Sequence, residues 1–305
     1  MSGATPLTTA SYAARIAFVV ELAEHLHAYG TTAQRLEGAM ISVTQRLGLE
    51  CEPWINPTGM VLSFSDPMRP PGDSDTTRVI RMPPGDTDLY KLCETDRIAE
   101  QVMAGEMDLA EGYAALRALD ARQPGRWGKT LQVLAFAMVA MGLAGVWRLP
   151  WQDIATAGTI GLLIGALDLA TRNGTRLKEA QEALAGMLAG VVAILVSAFV
   201  APLNLNTVII ASLIVMLPGM ALTNAINELT SQHLVSGTAR FSGAITTVLK
   251  LTIGTIIALT LMQLLGVEPQ VRALRPQAQW VEWAGLAIAA GAFAILFRAA
   301  RRDVL

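Results

Sequence analysis

The run TLQVLAFAMVAMGLAGVW at residues 130–147 contains no ionisable side chain. Comparable apolar runs follow it, and at about 1.5 Å of rise per residue each forms a helix of roughly 24–36 Å, enough to cross a bilayer. Six membrane spans are therefore predicted, and they are Thr130–Trp147, Ile154–Ala170, Ala183–Ala201, Thr207–Leu222, Ala244–Val267 and Trp280–Phe297.

The composition separates this apolar part from the residues before it. Of 305 residues, 52% are hydrophobic and 16% are charged, whereas a soluble domain carries about a quarter charged residues. Residues 1–129 hold 12 basic and 17 acidic side chains, while residues 130–305 hold 11 and 8. These values exclude a wholly soluble enzyme, and the acidic N-terminal part lacks the basic surface that nucleic-acid binding requires.

The basic residues of the loops predict the orientation, because they concentrate on the cytoplasmic side of a membrane protein. The first residues, MSGATPLTTASYAAR, also lack the basic n-region of a signal peptide. We therefore expect both chain ends in the cytoplasm and a multi-pass protein of the bacterial inner membrane. Ten basic residues lie on the predicted inner side and three on the outer side, the outer ones being Arg148, Arg272 and Arg275.

The N-terminal part predicts a cytoplasmic α+β domain over residues 1–125, followed by a five-span domain (126–267) and an outer loop with a sixth span (268–305). Thr31 and Gln34 have the spacing of a capping box at the start of the second helix. Pro57-Thr58-Gly59 predicts a tight hairpin between two strands. The predicted elements are helices at 12–29, 33–47, 88–103 and 109–121 and strands at 51–55, 60–64 and 76–82.

Other chemical signatures are weak. Cys51 and Cys93 have no zinc or disulfide spacing, so we expect reduced thiols and neither a metal nor a cofactor. The Gly125–Thr130 segment lacks the first glycine of a phosphate loop. His25 and His27 point to different faces of one helix, which predicts surface histidines and no shared metal.

The fourth span contains the most informative segment, residues 217–229. Pro218 removes a backbone donor and Gly219 loosens the helix, so carbonyl groups become available to a ligand, as in the broken helices of transporters. Asn224, Asn227 and Glu228 follow at spacings that place them on one helical face. The alternative is an ordinary kink followed by a cytoplasmic helix end.

Two ionisable residues fall within other spans, where burial is costly and function is the usual reason. Lys250 could bind a substrate carboxylate, pair with Glu228 or Asp168, or extend to the inner interface. Asp168 is either part of the same pathway or a helix-end charge. Asn204 and Asn206, in the predicted outer loop, could begin an external gate or cap the fourth span.

Several motifs together resemble the bacterial threonine/serine exporter family, the ThrE-like proteins. They are Gly30-Thr31-Thr32-Ala33-Gln34-Arg35-Leu36-Glu37, Pro57-Thr58-Gly59, Leu217-Pro218-Gly219, Leu222–Leu229 and Ser236-Gly237-Thr238-Ala239-Arg240. The resemblance runs from about residue 12 to residue 266.

This resemblance implies an exporter of small hydrophilic metabolites driven by the proton-motive force. The substrate it implies is threonine or serine, or, for related two-component pairs, a succinate-like dicarboxylate. It also implies a second five-span portion, and the sixth span of this chain resembles the first helix of that portion. We therefore expect a longer fused chain, a separate small multi-span subunit or a homo-oligomer. The other expected partner is membrane lipid.

The predicted transport pathway assigns a role to each polar group. Pro218 and Gly219 open the helix, Asn224 and Asn227 bind substrate, Glu228 carries the proton, and Lys250 binds a carboxylate, with Asp168 nearby. Two other classes stay open. They are a membrane-anchored enzyme and a sensing subunit, both acting through cytoplasmic residues Arg35, Glu37, Pro57, Thr58 and Gly59.

Overall fold

The computed structural model describes residues 10–70, 75–121, 126–172, 175–272 and 275–299. Contacts within the chain divide it into two compact units. The N-terminal unit comprises Met1–Gln123, Met220–Ser242 and Arg298–Leu305, and the membrane unit comprises Pro124–Gly219 and Gly243–Phe297. A boundary at residue 125 therefore omits residues 220–242 from the unit in which they pack. Residues 122–125, at the predicted boundary, lie outside the described residues.

In the described part of residues 10–121, two helices, three consecutive strands and two more helices follow one another, which agrees with the α+β prediction. The sheet is antiparallel with the order β1-β2-β3. The helices and strands of this part are α1 (Tyr12–Ala28), α2 (Ala33–Arg46), β1 (Glu50–Asn56), β2 (Gly59–Ser65), β3 (Thr76–Arg81), α3 (Leu89–Met103) and α4 (Leu109–Ala121).

The hairpin between β1 and β2 is as tight as the sequence predicted. Asn56 pairs with Gly59, which leaves only two residues in the turn. The backbone N–H of Thr58 donates to the side-chain oxygen of Asn56 at 3.2 Å, a local bond that favours a turn. A Cβ atom at Gly59 would lie 2.5 Å from the carbonyl oxygen of Ile80, so the approach of β3 requires glycine there.

Helix α1 runs through the core of the N-terminal unit. Phe18, Leu22 and Leu26 are buried on it and pack with residues of α2 and β2. The prediction of surface histidines is wrong, because His25 and His27 are 7% and 4% exposed. Helix α1 contacts α2, α3 and α4, and these neighbours cover its polar positions as well as its apolar ones.

Helix α9 (Gly219–Thr230) and the first nine residues of α10 (Leu234–Leu264) complete the N-terminal unit. A short corner at residues 231–233 joins them. Gln232 has a φ of +67° at this corner, and the N–H of His233 donates to the carbonyl of Glu228. The chain therefore reverses within a few residues and presents side chains of both helices to α2.

The membrane unit is helical. Its residue 203 forms an isolated bridge with residue 271. Its helices are α5 (Arg126–Val146), α6 (Trp151–Thr171), α7 (Thr175–Phe199), α8 (Leu205–Leu213), the remainder of α10, and α11 (Gln279–Leu296), with a 3₁₀ turn at Ile214–Met216.

Small residues allow these helices to approach closely within one chain. A Cβ atom at Gly142 would lie 2.9 Å from the carbonyl of Gly285 on α11, and one at Gly161 would lie 2.7 Å from that of Phe136 on α5. Gly186 meets the carbonyl of Leu251 in the same way, at 2.2 Å. The small residues therefore serve intrachain helix packing, which is their usual role in membrane proteins.

Five described helices are long and apolar enough to cross a membrane, and α8 with α9 would make a sixth if the bent pair were one span. The predicted fourth span, Thr207–Leu222, is not continuous, because α8 and its 3₁₀ turn end at Met216 and α9 begins at Gly219. The break lies where Pro218 and Gly219 predicted it. Proline cannot donate a backbone hydrogen bond, so the helix stops there.

Candidate functional site

A buried carboxylate, that of Glu228 on α9, is the centre of the candidate site. Its side chain is fully buried. Arg240 of α10 donates to both oxygens, with distances of 3.0 Å to Oε1 and 3.2 Å to Oε2. The hydroxyl of Ser236 donates to Oε2 at 2.8 Å, and the backbone N–H of Ala33 donates to Oε1 at 2.9 Å. Four hydrogen bonds, two of them from the Arg240 cation, therefore surround this carboxylate, an arrangement that compensates a buried negative charge.

Glu228 also caps α2. The N-cap residue Thr32 makes no side-chain capping bond, so the capping box predicted from Thr31 and Gln34 is wrong. The Glu228 carboxylate accepts the Ala33 N–H instead and lies at the positive end of the helix dipole. The motif that begins at Gly30 is therefore completed by a residue of α9.

A second contact lies one turn further along α2. Glu37 Oε2 accepts a hydrogen bond from His233 Nε2 at 2.8 Å, and its Oε1 accepts from the backbone N–H of Ile55 at 3.3 Å. His233 Nδ1 lies 3.0 Å from the carbonyl oxygen of Ser231. The corner between α9 and α10 is thus held to α2 at two points, which we call the α2 clamp: Glu228 with Arg240 and Ser236, and Glu37 with His233.

Two buried polar atoms lie close to the α2 clamp in sequence. His27 Nε2 and Thr31 Oγ1 have no hydrogen-bond partner among the described residues. Burial, and secondarily the charge of Arg240, lowers the pKa of His27, which keeps its ring neutral. Sequence reasoning assigned neither residue to a site.

The structure separates the polar residues that were predicted to share a face of α9. Glu228 is buried, Asn224 is half-buried and Asn227 is exposed. Residues 227 and 228 differ by about 100° around a helix, and burial of Glu228 against α2 turns Asn227 outward. The proton-carrier role predicted for Glu228 would require release of its four donors.

The two charged residues predicted within the spans have partners in the membrane unit. Lys250 Nζ donates to the carbonyl of Glu179 at 2.9 Å and lies 3.5 Å from the carboxylate of Glu182. Asp168 pairs with Arg172 at 2.7 Å. The suggested pairing of Lys250 with Asp168 or Glu228 is therefore replaced by one with Glu182.

The N-terminal residues that the enzyme and sensing hypotheses used do not converge. Arg35 is exposed and pairs with Asp96. Thr58 is exposed and shapes the hairpin with Pro57 and Gly59, while Glu37 belongs to the α2 clamp. Within the described residues, no group of three or more His, Cys, Asp or Glu side chains is arranged to hold a metal ion.

Sequence reasoning overlooked a second buried carboxylate. Asp153, in the first turn of α6, is fully buried, and its Oδ2 accepts from the backbone N–H of Asn204 at 3.3 Å and from its Nδ2 at 2.7 Å. Asp153 Oδ1 has no partner among the described residues. Asn204 is the N-cap of α8 without a side-chain capping bond, since its amide binds Asp153.

An apolar cavity of about 260 Å³ lies between α8 and α10 in the membrane unit. Leu213 and Leu217 line it next to the break, and Asn206, Thr252 and Thr255 are its polar residues. Hydroxyl and amide groups on an otherwise apolar wall are typical of small-molecule sites, where a few polar groups orient the ligand.

Several apolar helices long enough to cross a membrane, joined to an N-terminal α+β unit through a broken helix, define a multi-pass membrane protein. The family model described as "Putative threonine/serine exporter" (ThrE) matches residues 17–262, so the chain belongs to this family. The resemblance seen in the sequence motifs is thereby confirmed.

A curated relative is named "Probable threonine/serine exporter" and comes from Mycobacterium tuberculosis (strain ATCC 25618 / H37Rv). It is 26% identical over 176 residues, which cover 57% of this chain and 32% of the relative. The match thus spans less than half of that protein. No solved structure matches the chain.

Proposed function

We propose that this chain exports threonine and serine across the bacterial cytoplasmic membrane, with its N-terminal unit in the cytoplasm. The observation that carries the proposal is the family match over residues 17–262, which includes both the Gly30–Glu37 segment and the α9–α10 corner. The name of the relative supports these two substrates.

Aromatic residues of the membrane unit support a membrane interface at the end that the proposed orientation assigns to the outer side. Trp151 and Trp280 are 53% and 61% exposed, and their rings lie 5.9 Å apart. Tryptophan is enriched at membrane interfaces, and this pair lies at the ends of α6 and α11 that the distribution of basic residues assigns to the outer side.

The proposed pathway passes the break between α8 and α9. Pro218 and Gly219 interrupt the helix, which frees carbonyl groups for a substrate ammonium, and half-buried Asn224 lies one turn beyond. Asn227 contributes from the exposed side of α9. In this proposal Glu228 chiefly couples α9 to α2, and any proton it carries must first displace Arg240.

Lys250 is the proposed carboxylate-binding residue of the pathway. Its side chain is 38% exposed and its contact with Glu182 is 3.5 Å long, so a substrate carboxylate can compete for the ammonium group. Asp168 supports the same region only indirectly, because Arg172 and Gln181 occupy its oxygens.

Efflux from preloaded cells tests the function directly. Cells that express the chain, alone and with a second small multi-span subunit, are loaded with labelled threonine, serine or succinate, and efflux is followed with and without a protonophore. We expect protonophore-sensitive efflux of threonine and serine. Succinate efflux would instead support a dicarboxylate exporter, and no efflux from a well-expressed complex would contradict the proposal.

Matched lysine variants test the site within the same assay. Lys250→Ala is expected to slow efflux severalfold, because it removes the proposed partner of the substrate carboxylate. Lys178→Ala removes an exposed lysine near the start of α7 and should leave efflux unchanged. Equal efflux from both variants and the unchanged chain would eliminate Lys250 from the pathway.

A further inference from the structure

A polar cavity of about 420 Å³ lies within the N-terminal unit, and its described lining includes no residue of the α2 clamp. It is bordered mainly by α1 and α4. The side chains relevant to binding are those of Glu21, Glu24, His25, Tyr29, Arg117 and Asp120.

The charges of this cavity are unbalanced. Glu21, Glu24 and Asp120 supply three carboxylates, whereas Arg117 is the only cation among the described residues that line it. Arg117 Nε lies 3.8 Å from Glu21, and its side chain is 66% exposed, so this pair is loose. Asp120 lies 3.5 Å from the Tyr29 hydroxyl and 3.7 Å from Lys91 Nζ. The cavity therefore offers more acceptors than donors.

His25 adds a further acceptor, and it is the observation that distinguishes this cavity from an ordinary acidic surface. The residue lines the cavity, yet it is only 7% exposed. Its Nδ1 lies 2.8 Å from the carbonyl oxygen of Glu21, so Nδ1 carries the hydrogen. In the neutral ring Nε2 is then an acceptor, and it has no partner among the described residues. Such a buried, unsatisfied atom normally binds a donor.

We propose that this cavity binds a free α-amino acid as a regulatory ligand. The ligand's ammonium group donates to the Glu24 and Glu21 carboxylates, its α-carboxylate binds the guanidinium of Arg117, and a side-chain hydroxyl donates to His25 Nε2. A ligand with donors at one end and a carboxylate at the other offers a partner to both kinds of group. The amino-acid identity rests on the proposed export of threonine and serine, since the exported compound is the one whose concentration matters.

Calorimetric titration of the full chain in detergent with L-threonine tests the site. We expect saturable binding that Glu24→Gln weakens about tenfold or more, as expected for loss of a charge-assisted hydrogen bond. Glu106→Gln makes the same chemical change at an exposed position of the same unit and should bind as the unchanged chain does. Absence of saturable binding, or equal affinity of all three proteins, would overturn the proposal.

Two ligand fragments test the proposed polarity. Ethanolamine carries the ammonium and hydroxyl groups without a carboxylate, and succinate carries carboxylates without an ammonium group. Arg117→Gln should weaken binding of L-threonine and leave that of ethanolamine unchanged, because only the former contacts Arg117. Succinate should not compete with L-threonine. Equal weakening of both ligands, or competition by succinate, would contradict the proposed pose.

Efflux measured on the same variants separates this proposal from the proposed function. If the chain exports threonine but its calorimetric binding of threonine does not depend on Glu24, the regulatory site is overturned and the exporter proposal stands. Binding that depends on Glu24, without efflux from a complete complex, would confirm the site and overturn the exporter.

Discussion

Glu228 and Asp153 are both fully buried carboxylates, but they differ in how many donors each one meets. Glu228, in the N-terminal unit, has donors on both oxygens, including the cation of Arg240. Asp153, in the membrane unit, receives both of its hydrogen bonds from Asn204 on a single oxygen. Burial alone therefore does not define a role, since a satisfied carboxylate stabilises its surroundings whereas a half-satisfied one is costly.

The two carboxylates also differ in how many helices each one connects. The Glu228 carboxylate joins three elements, namely α2, α9 and α10, so its loss affects each of them. Asp153 joins only the starts of α6 and α8. The α2 clamp thus anchors the helix that continues from the broken fourth span, and we expect variants there to have larger effects than variants at Asp153.

Glu228→Gln should produce the largest loss of stability. An amide group at this position directs its N–H₂ toward donors on one side, and Arg240 loses its counter-charge. We expect the free energy of local unfolding to fall by about 2–4 kcal/mol. Hydrogen exchange at residues 33–36, measured by mass spectrometry on the full chain, reports this directly, because the Ala33 N–H then meets a neutral amide in place of a carboxylate.

The neighbouring variant Asn227→Ala serves as the control for this measurement. Asn227 is exposed on the same helix, and its change should leave exchange at residues 33–36 as it was. Unchanged protection in Glu228→Gln itself would mean that Glu228 does not cap α2.

Glu37→Gln tests the other half of the α2 clamp and should have a smaller effect. Glu37 and His233 are each 22% exposed, and a glutamine oxygen can still accept the His233 hydrogen bond. The loss is therefore limited to the extra strength of a hydrogen bond to a charged acceptor, about 0.5–1 kcal/mol. The melting temperature of the purified chain should fall by a few degrees. A loss equal to that of Glu228→Gln would refute this ranking.

The elements of the N-terminal part were predictable because they depend on local signals. Helix α4 spans Leu109–Ala121 as the sequence predicted, and the turn residues Pro57-Thr58-Gly59 specified the hairpin. The break at Pro218 was predictable for the same reason, since proline lacks the backbone donor that continues a helix and therefore kinks or breaks it.

The α2 clamp was not predictable, because its partners are distant in the sequence. Ala33 and Glu228 are separated by 195 residues, so a local capping box appeared sufficient. The shared face of Asn224 and Glu228 likewise indicated a ligand site, although in the structure Glu228 is buried against α2 and binds the Ala33 N–H. The motif at 236–240 was the only sign of the α2 clamp. It belonged to the family resemblance, but the sequence assigned no role to Ser236 or Arg240.

Asp153→Asn sharpens the comparison by making the same chemical change as at Glu228. The asparagine oxygen can still accept both bonds from Asn204, and the buried charge disappears. We expect stability to stay within about 1 kcal/mol of the unchanged chain, or to increase. Thermal melts in detergent measure this difference. A loss of several kcal/mol would show that the Asp153 charge has a compensating partner and that the two carboxylates are alike.

Glu24→Gln extends the comparison to a carboxylate of the proposed ligand cavity and should have the smallest effect, with the opposite sign. Burial, and then the charge of Glu21, raises the pKa of Glu24, while His25 lowers it less. Because the folded pKa exceeds the unfolded one, the ionised form costs stability at neutral pH, and that stability returns as the pH falls and Glu24 binds a proton.

The variant should therefore melt about 1 °C higher than the unchanged chain at pH 7, with the difference vanishing near pH 4. A rise in stability together with weaker amino-acid binding is typical of a residue retained for function. A lower melting temperature of the variant at pH 7 would instead mean that Glu24, like Glu228, is a carboxylate whose hydrogen-bond donors stabilise the fold.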